Sequence, residues 1–163
     1  MNKQKIYLET TLFNYYFDED RDAHADVVTL FKECSVGEFE PYTSTYTIEE
    51  LEDTQGEKRD KMLALISQYK VTVLAASDEI VELAKKYIAE GAIHKGSQTD
   101  ARHIATAAVN NLDKIISLNF RHIVKEKTII LTGAINTLLG YKPVEIKTPM
   151  EVIDYEKTRY NIG

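Results

Sequence analysis

Short apolar runs alternate with longer amphipathic segments along this chain of 163 residues. Apolar residues that recur every three or four positions indicate helices, and the short β-branched or aromatic runs between them indicate buried strands. Such alternation predicts an α/β fold, a three-layer α/β/α sandwich with a central, mainly parallel sheet. The predicted strands are Lys5–Leu8, Tyr42–Ser44, Val71–Leu74, Lys114–Ser117 and Val144–Ile146.

Capping residues mark two helix starts. Ser77 precedes Asp78 and Glu79, whose carboxylates suit the positive end of a helix dipole. Thr148-Pro149-Met150-Glu151 combines a capping box with proline at the first helical position. Both signals predict a helix directly after a strand.

Length and composition favour one globular domain. Hydrophobic residues make up 44% of the chain and charged residues 28%, which is typical of globular proteins. We expect a single domain over residues 1–163, with the polar residues 155–163 as a loose tail. The single cysteine, Cys34, cannot form an internal disulfide, which favours a reducing compartment. We find no signal peptide and no membrane-length apolar run, so the expected location is cytoplasmic.

The net charge of −6 is distributed unevenly. Residues 1–60 contain 15 acids and 6 bases, whereas residues 61–163 contain 11 acids and 14 bases. The acidic total argues against strong non-specific binding to nucleic acid. Residues 95–127 nevertheless contain six bases and only three acids. These basic side chains either permit contact with a short single-stranded nucleic acid or form the solvated faces of helices.

Polar side chains follow the predicted strands where each strand ends. Glu9 follows the first strand, Glu50 lies shortly after the second, and Asn119 lies two residues past Lys114–Ser117. Asp100 begins an alanine-rich helix. Functional groups of parallel α/β sheets gather at this edge, and three carboxylates with an amide suit Mg²⁺ or Mn²⁺. Each residue also has an ordinary explanation as a helix-start, solvated or turn residue.

These residues occur in four segments with a recognisable order. Together the segments resemble those of PIN-domain proteins, the fold of many toxin ribonucleases of the VapC type. The resemblance therefore supports a PIN-like sandwich. The segments are Ile6-Tyr7-Leu8-Glu9-Thr10-Thr11, Ser44 to Glu50-Leu51, Thr99-Asp100-Ala101-Arg102-His103-Ile104-Ala105-Thr106-Ala107-Ala108, and Ile115-Ile116-Ser117-Leu118-Asn119-Phe120-Arg121-His122-Ile123.

The resemblance implies a metal-dependent endoribonuclease that cleaves single-stranded RNA, the toxin of a type II toxin–antitoxin pair. Glu9, Glu50 and Asp100 would bind one or two Mg²⁺ or Mn²⁺ ions, and Asn119 would complete the site by positioning a water molecule. An antitoxin protein is the expected partner. A homodimer formed through the apolar faces of the early helices is also expected.

Two departures from the family pattern leave an alternative open. Glu9 stands where the family usually has aspartate, and Asn119 stands where many members have aspartate. The longer side chain and the missing charge would weaken a metal site. The alternative is a catalytically weakened PIN-like scaffold that acts as a non-enzymatic interaction protein.

Further candidates flank these four residues. His103 lies three residues after Asp100, on nearly the same helix face, and could approach the site. Arg121 and His122 could contact a substrate phosphate. An aromatic cluster just past Glu9 could stack on bases, although core or dimer packing is the favoured interpretation. Its members are Phe13, Tyr15, Tyr16 and Phe17.

Overall fold

The computed structural model describes residues 3–156. It contains five strands, β1 Gln4–Leu8, β2 Phe39–Ser44, β3 Thr72–Leu74, β4 Lys114–Ile116 and β5 Glu145–Lys147. The helices are α1 Thr10–Tyr15, α2 His24–Ser35, α3 Thr45–Glu52, α4 Glu57–Gln68, α5 Asp78–Ala89, α6 Gln98–Val109, α7 Glu126–Leu138 and α8 Pro149–Val152.

All five strands are parallel, in the order β3-β2-β1-β4-β5. β1 is central, with Tyr7 opposite Tyr42 on one side and Leu8 opposite Ile116 on the other. The predicted α/β class with a parallel sheet is therefore confirmed. Because the strands are parallel, their carboxyl ends lie at the same edge of the sheet.

Each face of the sheet has its own apolar core. Tyr7 of β1 packs with residues of α5, α6 and α7, whereas Ile6 and Leu8 pack with residues of α1, α2 and α4. Successive strand side chains point to opposite faces, so β1 contributes to both cores. The residue that follows β1, Glu9, is therefore buried at the carboxyl end of the central strand.

The capping predictions are confirmed for two helices. The Ser77 hydroxyl accepts a hydrogen bond from the Ile80 amide at 3.2 Å. Thr148 and Glu151 form the capping box at the start of α8. The helix α1 was not predicted, because its six residues are too few to show a clear apolar period.

The aromatic cluster belongs mainly to the core between α1, α2 and α4. Phe13 is fully buried and packs edge-on against Phe31, and Tyr16 packs against Phe17, Phe31 and Tyr69. Phe13 therefore belongs to the core, and Tyr15, Tyr16 and Phe17 are partly buried against it. The large apolar side chains that stay exposed lie mostly elsewhere, several of them on α7, where Ile130 and Leu138 are examples.

The predicted tail falls mostly outside the described residues. Tyr155 donates a hydrogen bond to Asp26 of α2, and residues 157–163 lie beyond the described part of the chain. Within residues 3–156, no helix has both the length and the apolar character that a membrane crossing requires. The single-domain organisation of residues 1–163 remains a prediction.

Candidate active site at the carboxyl edge of the sheet

Glu9 lies directly after β1, where the chain turns into α1. Its carboxylate is buried and caps α1 by accepting from the Thr11 amide at 3.2 Å. The same oxygen accepts from the hydroxyls of Thr11 at 2.6 Å and Ser117 at 2.7 Å. Burial raises the pKa of Glu9, against the opposing effects of His103 and these hydrogen bonds. Glu9 therefore joins the ends of β1 and β4 from a desolvated position.

Glu50 reaches the same edge from α3. One of its oxygens accepts from the Thr10 hydroxyl at 2.7 Å and from Nε2 of His103 at 2.6 Å. Burial alone would raise the pKa of Glu50, but His103 and Thr10 outweigh it and lower that pKa. The side chain remains 38% exposed, so the carboxylate is accessible.

His103 is fully buried beneath Glu50, on α6. Its Nδ1 lies 2.5 Å from the hydroxyl oxygen of Tyr7, which in turn lies 2.6 Å from the Ser44 hydroxyl. Burial opposes protonation of His103, but the Tyr7 oxygen and the carboxylates of Glu50 and Glu9 outweigh it and raise its pKa to about 10. A charged imidazole that donates from both nitrogens fits this geometry.

Asp100 and Asn119 form a hydrogen-bonded pair beside Glu50. The Asn119 amide nitrogen donates to Asp100 at 3.2 Å, while its carbonyl oxygen accepts from the backbone of His122 at 3.0 Å. Burial raises the pKa of Asp100, and the negative charge of Glu50 adds to this. His103 is the strongest opposing influence. The amide of Asn119 thus orients Asp100 and is fixed by the turn after β4.

Two of the four predicted residues line one open cleft. Glu50 and Asp100 face a cleft of about 470 Å³ whose other walls are residues 95–99 and His122. Glu9 lies beneath this surface, 2% exposed. The carboxyl edge of the sheet therefore combines an accessible pair of carboxylates with a buried third one.

The donor chemistry of this cleft fits a hard divalent cation. Within residues 3–156, no three His, Cys, Asp or Glu side chains are arranged to bind one metal ion together. Mg²⁺, however, is commonly bound by one or two carboxylates, with water and substrate phosphate completing its shell. Glu50 and Asp100 supply that number of carboxylates on one accessible surface.

The supporting hydroxyls and Tyr7 were not identified from the sequence. Thr10 and Thr11 directly follow Glu9, and that adjacency is the one local signal that could have indicated them. Ser117 and Tyr7 approach the site only through the pairing of β1 with β4 and the packing of α6. His103 reaches the site by the helical spacing from Asp100 that the sequence suggested.

Comparison with known proteins gives matches in structure but none in sequence. No protein-family model matches the chain, and no curated protein matches it. VapC20 from Mycobacterium tuberculosis, a toxin that cleaves the sarcin–ricin loop, matches with a TM-score of 0.53 and 14% identity over 68% of this chain and 86% of that one. A chain of VapBC2 from Rickettsia felis, solved with a promoter DNA fragment, matches with a TM-score of 0.56 and 10% identity. This match covers 89% of this chain and 98% of that one.

These matches confirm the predicted resemblance at the level of the fold. The chain shares its fold, a five-stranded parallel sheet covered by helices, with the VapC toxins of the PIN-domain class. At 10% and 14% identity, the similarity is one of architecture alone. Any activity must be argued from the residues of this chain.

Proposed function

We propose that this protein is a Mg²⁺- or Mn²⁺-dependent endoribonuclease that cleaves single-stranded RNA. The observation that supports it best is the pair of ionisable carboxylates, Glu50 and Asp100, in one open cleft at the carboxyl edge of a VapC-like sheet. Oxygen donors at such an edge are typical of metal-assisted phosphodiester hydrolysis.

Each polar residue of the site has a distinct proposed role. Glu50 and Asp100 would bind the ion, which when bound activates water and neutralises charge on the phosphate. His103 fixes the carboxylate of Glu50, and Asn119 fixes that of Asp100. Glu9 maintains the junction of β1 and β4 directly beneath the cleft, so we include it in the catalytic and metal site.

The proposal extends to partners and location. A nuclease of this kind has to be inhibited in its own cell, and a VapBC complex among the structural matches supports an antitoxin protein as the partner. We also propose that the chain is the toxin of a type II pair, forms a homodimer and acts in the cytoplasm, where its RNA substrate occurs.

One observation supports a second candidate function. The predicted ligands Glu9 and Asn119 are both engaged in hydrogen bonds within the protein, to Ser117 and to the His122 backbone. A site reduced to two carboxylates would suit a PIN-like scaffold that acts as a non-enzymatic interaction protein. Calorimetric titration with Mn²⁺ separates the two functions, because the scaffold alone would bind no ion at this cleft.

The decisive test of the nuclease is Asp100→Asn. This change removes a charge from the cleft while nearly preserving shape, so metal-dependent RNA cleavage should fall at least about a hundredfold. The matched control is Asp78→Asn, which alters an exposed carboxylate in the first turn of α5 and should leave cleavage unchanged. Undiminished cleavage by Asp100→Asn, or by the native protein in EDTA, would exclude this proposal.

A further inference from the structure

A second cleft opens beside the carboxylate cleft, between the loop before α6 and the loop before α7. Its volume is about 430 Å³, and no acidic side chain among residues 3–156 lines it. Ala92, Ile93 and Thr128 form part of its floor. The side chains that can bear positive charge are His94, Lys95, Arg121, His122, Lys125 and Lys127.

The four permanent cations of this cleft are free to bind an anion. Lys95, Arg121, Lys125 and Lys127 are all exposed, and none forms an ion pair with a residue in the described range 3–156. Several lysines elsewhere are paired, for example Lys142 with Asp113. A concave surface with several unpaired cations concentrates positive potential.

The start of α7 adds to this potential. α7 has 13 residues, and Lys125, which occupies its N-cap position, makes no capping hydrogen bond with its side chain. The first-turn amides of a helix bear a partial positive charge and bind phosphate groups. Thus a helix end and four side-chain cations face the same cleft.

Two residues belong to both clefts. Lys95 and His122 line the basic cleft and also the cleft that contains Glu50 and Asp100. An anionic chain bound along the basic cleft would therefore pass directly into the carboxylate cleft.

We infer that the basic cleft binds the sugar–phosphate backbone of single-stranded RNA and directs the adjacent phosphodiester to Glu50 and Asp100. This inference rests on the proposed function and assigns its substrate-binding surface. A nucleic acid is favoured over an acidic protein segment, because only a polyanion that is itself the substrate gains from entering the carboxylate cleft. Contacts to phosphate alone would give affinity without base preference.

Binding measured in EDTA tests this inference without requiring cleavage. The probe is a labelled single-stranded RNA of about twelve nucleotides, followed by fluorescence anisotropy over a series of salt concentrations. The triple variant Arg121→Gln/Lys125→Gln/Lys127→Gln should bind at least about tenfold more weakly at roughly 0.1 M salt, and its log–log salt slope should fall by about 2. Two RNA sequences should lose affinity equally.

The matched control removes lysines from the opposite face of the sheet. Lys32→Gln/Lys61→Gln, on α2 and α4, should bind RNA as the native protein does. Thermal melts verify that the variants fold. If the triple variant does not fold, Arg121→Gln alone replaces it, and this single variant should weaken RNA binding about threefold.

Three results would overturn the inference. They are unchanged RNA affinity in a folded triple variant, an equal loss in the Lys32/Lys61 control, and tighter binding of an oligoglutamate peptide than of RNA. Cleavage by the native protein, assayed separately with Mn²⁺, keeps the outcomes distinct. If the native protein cleaves RNA but the triple variant binds RNA normally, the role of the basic cleft is rejected and the nuclease is not. If RNA binding depends on the cations of the cleft but the native protein does not cleave, only the nuclease is rejected.

Discussion

His103 is the residue on which the arrangement of the site depends most. It is fully buried and links Tyr7 to Glu50 through hydrogen bonds of 2.5 and 2.6 Å. We predict that His103→Gln lowers the free energy of unfolding by about 3 kcal/mol, because a buried, paired charge is lost and Glu50 loses its shortest hydrogen bond. Urea unfolding would measure this, with the exposed His94→Gln as the control.

The raised pKa of His103 also determines how the stability difference between the native protein and His103→Gln depends on pH. Because the pKa of His103 is raised from 6.5 to about 10, its charged form stabilises the fold fully below pH 6.5, and this is lost as the pH rises towards 10. The difference in free energy of unfolding between the native protein and His103→Gln should therefore decrease between about pH 7 and about pH 10. A difference in free energy of unfolding that stays constant over this pH range would mean that His103 is neutral in the folded protein.

At the residue scale, the sequence identified the acids but not their orientations. Glu9, Glu50 and Asp100 could be found because each lies close to a strand end or a helix start, which local pattern shows. That Asn119 donates to Asp100 depends on the turn after β4, and that Glu9 bonds to Ser117 depends on pairing between strands 108 residues apart. Neither contact has a local sequence signal.

At the element scale, the amino ends of three strands meet at Asp113. Its carboxylate accepts from the Lys5 amide at 2.8 Å and from the Lys142 ammonium at 2.5 Å, and its carbonyl accepts from the Glu145 amide. Burial alone would raise the pKa of Asp113, but Lys142 and the Lys5 amide outweigh it and lower that pKa. Asp113 thus joins β1, β4 and β5 at the edge opposite the candidate site.

We predict that Asp113→Asn destabilises the protein at neutral pH by about 1 kcal/mol, or roughly 2–4 °C in melting temperature. A carboxylate whose pKa is lowered on folding stabilises the fold above its unfolded pKa, near 3.8, and this stabilisation is lost as the pH falls below that value towards the lower pKa of the folded state. Thermal melts should therefore show the deficit near pH 7 and its decline once the pH falls below about 3.8. Asp60→Asn, exposed on α4, provides the comparison, and a deficit that persists in acid would refute the charge-based explanation.

The elements themselves were largely predictable, and the exceptions have physical causes. The buried strands β1 and β4 have apolar, β-branched sequences, and α5 combines a capping serine with a regular apolar period. α1 was missed because its six residues follow Glu9 without an apolar period. The start of α2 has no side-chain cap, because Ala23 occupies its N-cap position.

At the scale of the whole molecule, the candidate site joins parts of the chain that are distant in sequence. Glu9, Glu50, Asp100 and Asn119 come from the end of β1, from α3, from α6 and from the turn after β4. These segments border both cores of the sandwich. A ligand that binds only this folded arrangement must therefore stabilise the entire fold.

Metal-free and metal-bound melts test this linkage. The pKa of Asp100 is raised by burial and by Glu50, so its charge costs stability above its unfolded pKa of 3.8. In EDTA near neutral pH, Asp100→Asn should therefore melt at or above the native protein. With Mn²⁺ at about a hundred times its dissociation constant, the native protein should gain about 2.7 kcal/mol, roughly 5–10 °C, and the variant little.

Asp78→Asn distinguishes binding by Asp100 from a general effect of helix-start charge. Both residues lie in the first turn of a helix, but Asp78 is exposed on α5 and away from the cleft. We expect Asp78→Asn to gain as much from Mn²⁺ as the native protein does, because its cleft is intact. If Asp100→Asn is clearly less stable in EDTA and Mn²⁺ raises all three melting temperatures equally, Asp100 serves only the start of α6.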